Sequence, residues 1–114
     1  MSGCNVSLPK DYVVQLVGND KYQLIVDYLQ DGVPVNITGE TVSFKIYSDK
    51  EVFITLLSGS GLTILPLIGR ITIDLTSAQT QSLVGKTQLR HVLRLDTPSE
   101  KTLMNGKVEV YQIV

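Results

Sequence analysis

Hydrophobic and polar positions alternate along most of this chain, with the period of a strand rather than of a helix. In Arg70–Leu75 the apolar residues Ile71, Ile73 and Leu75 interleave with Arg70, Thr72 and Asp74, giving one dry and one wet face. Thr41–Tyr47 repeats this with Val42, Phe44 and Ile46 inward and Ser43 and Lys45 outward. Gln88–Asp96 sets Leu89, His91, Leu93 and Leu95 against Arg90, Arg94 and Asp96. In Lys21–Gln30 the residues Tyr22, Leu24, Val26 and Tyr28 share a face. Ile25 and Leu29 make the opposite face half apolar too, as in a strand covered partly on both sides. Lys101–Val114 ends the chain with Val108 and Val110 inward and Gly106 as an expected bulge.

The other strands are shorter. Tyr12–Val17 is rich in β-branched residues and is closed by Gly18-Asn19-Asp20, and Val35–Thr38 follows the turn Asp31-Gly32-Val33-Pro34. Val52–Leu57 returns from the charged tip Ser48–Glu51, and Leu62–Leu65 runs into Pro66, which predicts an edge position or a kink. After Leu75 the period changes. Thr76 and Gln79 form a Thr-x-x-Gln capping box, and Gly85 stands where a helix needs a left-handed residue to stop, so one short helix is expected near residues 76–84. About eight short strands at intervals of roughly ten residues predict an all-β fold, a two-sheet antiparallel β-sandwich over residues 11–114. Residues 1–10, polar and ended by Pro9, are expected to be a flexible arm that orders against a neighbour.

Composition narrows the function classes. A chain of 114 residues is one domain, and at this size it buries roughly two thirds of its unfolded surface. Ten basic against 11 acidic residues leave a net charge of −1 with no basic stripe, which argues against nucleic acid and does little to keep copies apart. The single Cys4 makes no intrachain disulfide. The first ten residues lack the charged start and apolar block of a signal peptide, and the apolar run Leu62–Ile68 is too short for a bilayer span. The expectation is a soluble protein, made in a cytoplasm, that does not engage a membrane.

The residues that carry chemistry are few. His91, the only histidine, falls on an apolar strand face and reads as a packed residue with a satisfied hydrogen bond, and no Gly-x-Ser-x-Gly elbow accompanies it. Cys4 has no evident base, and one His with one Cys is too small a ligand set for zinc. Asp20, Asp27, Asp31, Asp49, Asp74 and Asp96 lack calcium-loop spacing and read as turn and surface residues. Gly59-Ser60-Gly61 lacks the Lys-Ser or Lys-Thr of a phosphate loop. Tyr12, Tyr22, Tyr28, Tyr47 and Tyr111 are candidates for a sugar-binding face, although Tyr22 and Tyr28 lie on the side expected to be core. No residue is therefore assigned to catalysis, a cofactor or a metal, and no enzyme activity is expected.

The run of turns and strands carries a resemblance. A strand ends in Gly18-Asn19-Asp20. Another is followed by Asp31-Gly32-Val33-Pro34-Val35-Asn36-Ile37-Thr38-Gly39. Then come Thr41–Ile46, Gly69–Thr80, and a final strand around Asn105–Val110. From about Tyr12 to Val114 the chain resembles the small immunoglobulin-like β-sandwich of tailed-phage virions, known as the N-terminal domain of baseplate upper proteins and in tail-fibre attachment modules. It departs from that family in ending with the sandwich. The resemblance implies a virion structural protein, from the baseplate, tail or head accessories, that binds other virion proteins and forms homo-oligomers. It brings no catalytic residues. The alternative is a carbohydrate-binding module that recognises a host-surface glycan.

Overall fold

The computed structural model describes residues 4–6, 12–49 and 51–112. Their strands are β1 (Cys4–Val6), β2 (Val14–Val17), β3 (Tyr22–Gln30), β4 (Val33–Pro34), β5 (Thr41–Ser48), β6 (Glu51–Ser58), β7 (Gly61–Leu65), β8 (Arg70–Leu75), β9 (Arg90–Thr97) and β10 (Lys101–Tyr111). The helix α1 covers Ser77–Ser82.

The molecule is mostly β. Nine strands form one strongly curled path in the order β1-β3-β8-β7-β6-β5-β9-β10-β2, and β4 pairs with β3 off that path. The sheet is mixed, not wholly antiparallel as the sequence led us to expect. β1 runs parallel to β3, β2 parallel to β10, and β6 parallel to β7. The β6–β7 register pairs only Leu57 with Gly61 and Ser58 with Leu62, and it is this pairing that makes one path of two larger groups of strands. Both ends of the path are N-terminal. Residues 4–6 lie on β3 and residues 14–17 on β10, so the start of the chain is attached at opposite ends of the curl. The rest of the expected arm lies outside the described residues.

The inward rows read from the sequence meet in a single core. Leu24 and Val26, Phe44 and Ile46, Ile71, Ile73 and Leu75, and Leu93 and Leu95 pack with Val14 and Leu16. Each such side chain contributes on the order of 1.5–3 kcal/mol of transfer free energy. The α1 capping box is present: Thr76 Oγ1 accepts from Gln79 N at 3.1 Å, and Gln79 Oε1 accepts from Thr76 N at 2.9 Å. The buried Thr80 donates its hydroxyl to the Asp20 carbonyl at 2.7 Å, which ties α1 to the turn after β2.

Several local expectations change. Val35–Thr38 is not a strand; Val35 N donates to the Tyr28 carbonyl and Ile37 N to the Pro66 carbonyl, so loop bonds hold it. Ser43, expected outward, is buried. β7 is interior, between β6 and β8, so Pro66 marks a kink rather than an edge: the strand stops at Leu65 and a 3-10 turn takes over. The register shift in β10 falls between Thr102 and Met104, not at Gly106. Gly106 meets a different need, since a Cβ there would lie 2.3 Å from the Tyr12 carbonyl oxygen.

Candidate functional site

His91 sits in β9 opposite Ile46 of β5 and Gly106 of β10, fully buried. Its Nε2 is 2.6 Å from the Tyr12 carbonyl. A carbonyl only accepts, so Nε2 carries the proton, and Nδ1 keeps a buried lone pair without a partner. The ring lies 5.8 Å from that of Phe44 and 6.3 Å from that of Tyr12. Burial pushes its pKa below the ordinary imidazole value, the bond to Tyr12 opposes this, and the Arg90 charge lowers it further. This arrangement gives the imidazole the task of holding the backbone that leads into β2. Tyr12 N donates to the Asn105 carbonyl at 2.9 Å, completing the anchor.

The aspartates are dispersed. Asp27 takes a two-pronged contact from Arg70 at 2.6 and 3.1 Å, Asp74 accepts from Gln23 at 2.9 Å, and Asp96 lies 3.6 Å from Arg94. No three His, Cys, Asp or Glu side chains converge among the described residues. Cys4 falls in β1, and Gly59-Ser60-Gly61 joins β6 to β7. The tyrosines are divided: Tyr28 is core, Tyr12 and Tyr22 pack against the core, Tyr47 is half-buried on β5, and Tyr111 is exposed and donates to Glu109 at 2.8 Å.

Two surface features emerge from strand pairing. The first is apolar: Leu65, Leu67 and Ile68, at the end of β7 and in the turn that follows, are exposed, Leu67 at 73%. The second is basic. On the outer face of β5, β9 and β10, Tyr47 lies opposite Arg90 and Arg90 opposite Lys107, and two residues along Lys45 lies opposite Val92. Arg90 and Lys107 also wall a groove of about 450 Å³ whose other lining residues are Asp49, Gln88, Leu89, Val108 and Glu109. The Glu109 carboxyl is held below the usual range by its hydrogen bonds from Tyr111 and Gln15, with Lys107 the smallest contribution. Alternation in the sequence places each of these cations outward. Their juxtaposition depends on register, which the sequence pattern does not contain.

No family model matches this chain, and no curated protein does. Among solved structures, the chain is similar to the extracellular domain of the voltage-gated sodium channel beta4 subunit at a TM-score of 0.46 and 13% identity, over 96% of this chain and 98% of that one, too loosely to carry an argument. It is also similar to the N-terminal domain of phage TP901-1 ORF48, with a TM-score of 0.58 and 15% identity. That match covers 97% of this chain and 99% of the phage domain, so the two share a fold over nearly their whole lengths.

Proposed function

We propose that this chain is a structural protein of a phage virion, from the baseplate, tail or head accessories, that works by binding other virion proteins and not by catalysis. The observation that carries the reading is the end-to-end fold likeness to the N-terminal domain of a phage protein. Under this reading the curled sheet is an immunoglobulin-like sandwich whose two strand groups meet at β6 and β7. Its terminal strands, β1 and β2, are the places where a neighbour's strand adds, because a strand at the end of a path presents an unpaired row of backbone donors and acceptors. The low net charge of −1 lets like subunits approach.

The test is molar mass by size exclusion with light scattering, on the full chain and on a variant lacking residues 1–10, with circular dichroism to establish that both are folded. The expected result is a discrete homo-oligomer that loses its order when the segment is removed. A folded monomer in both cases that also fails to bind purified tail or head proteins would overturn the proposal.

A further inference from the structure

We infer that the outer face of β5, β9 and β10 is a docking surface for an acidic segment of another protein chain, held by Arg90 and Lys107 with Lys45 beside them. The inference deepens the proposed assembly role and rests on it only for the partner being a protein.

Strand register creates a local conflict of charge. Arg90 and Lys107 are direct cross-strand partners, both exposed, on the same face of an antiparallel pair. Side chains so placed have Cβ atoms about 4.5–5.5 Å apart, and like charges there repel. Neither makes a salt bridge among the described residues. Lys45, also exposed, stands on the neighbouring strand one row away. Three cations on the outer faces of three adjacent strands, whose inward residues belong to the core, form a positive patch with a groove beside it. An extended segment carrying two or more carboxylates relieves the repulsion on binding, and Arg90 offers a planar fork suited to a carboxylate.

Charge also selects the occupant. Asp49 and Glu109 line the groove, and Asp96 neighbours Arg94 on the same face of β9. These acids confine the positive patch to a short stretch, which suits a segment that places a few carboxylates on Arg90, Lys107 and Lys45 and not a long phosphate backbone. A second copy offers few free strand carboxylates, since Asp27 is engaged by Arg70, Asp74 by Gln23, Asp96 by Arg94, and Glu109 by Tyr111 and Gln15, which leaves Glu51 of β6.

The experiment is a titration of the isotope-labelled full chain with a hexaglutamate peptide at low ionic strength, followed by amide chemical shifts. The expected result is shifts confined to the neighbourhood of Tyr47, Arg90, Val92 and Lys107. Affinity is expected to fall about five- to tenfold in the Arg90→Gln, Lys107→Gln double variant and to weaken with added salt. A second variant, Lys107→Glu, turns the like-charge pair into an opposite one; it should keep or raise the thermal midpoint while losing the peptide. Shifts located elsewhere, undiminished affinity in either variant, or a single-stranded DNA that moves the same amides at least as strongly would each overturn the inference. Because the readout is peptide binding and not self-association, its failure beside an intact homo-oligomer sinks this surface alone.

Discussion

His91 and Tyr12, 79 residues apart, are joined by a 2.6 Å hydrogen bond from the imidazole Nε2 to the main-chain carbonyl, while the other ring nitrogen is buried with no partner. The bond ties the chain leading into β2, at one end of the sheet, to β9 in its interior. It also makes the ring costly to protonate, since a second N–H would point into apolar surroundings.

A pH dependence follows. Burial, with a smaller push from Arg90, sets the folded pKa of His91 below the ordinary 6.5, despite the Tyr12 bond. As pH falls below the unfolded value, the unfolded ring takes up its proton first, so the unfolded state binds more protons and stability declines. The loss begins below about pH 6.5 and levels off once the pH has passed the folded value. Urea midpoints measured between about pH 5 and 8 should therefore slope downward toward acid in the native protein, and less so in His91→Leu. That variant should also be less stable near neutrality by about 1–3 kcal/mol, because the Tyr12 carbonyl loses its donor. Parallel slopes in the two proteins would exclude His91 as the source.

Gly106 tests the same anchor from the other side. A methyl group there would lie 2.3 Å from the Tyr12 oxygen and 2.9 Å from its nitrogen, both backbone atoms that cannot rotate away. Gly59→Ala is the comparison in open space: its φ is 82°, against 153° at Gly106, and nothing lies within 4 Å. Gly59→Ala should lose about 1 kcal/mol and Gly106→Ala about 3 kcal/mol or more in chemical denaturation. Equal losses would mean that backbone conformation, and not the approach of Tyr12, is what requires glycine.

The helix contributes through two hydroxyls. Thr76→Ala removes the acceptor for Gln79 N and should destabilise by about 1 kcal/mol. Thr80→Val keeps the shape but takes the donor from the Asp20 carbonyl, for about 1–2 kcal/mol. Both are read from thermal unfolding. The amide protection of Asp20, whose N donates to the Val17 carbonyl, should fall only in Thr80→Val.

The Asp27–Arg70 pair links β3 to β8 with Arg70 partly exposed, side-chain accessibilities being 19% and 40%. Asp27→Asn should lower the thermal midpoint at low ionic strength and lose most of that effect near 1 M salt, where the screening length is about 3 Å. A salt-independent difference would point instead to the hydrogen-bond geometry.

What the sequence by itself determined is local. The period-2 rows in Arg70–Leu75, Thr41–Tyr47 and Gln88–Asp96 became β8, β5 and β9 with their apolar residues in one core, because side-chain direction along a strand follows from backbone geometry alone. The Thr76–Gln79 box lies within one turn of chain and so was legible too. Tertiary structure decided everything that needs two distant segments to meet. Pro66 follows an interior strand because β6 and β8 flank β7, Ser43 is buried although alternation points it outward, and Gly106 is required by a carbonyl 94 residues away in sequence. The Arg90–Lys107 pair, around which the acidic-segment surface is built, exists only through the β9–β10 register. Register is set by the summed packing of whole strands, and no residue on either strand states which partner it will face.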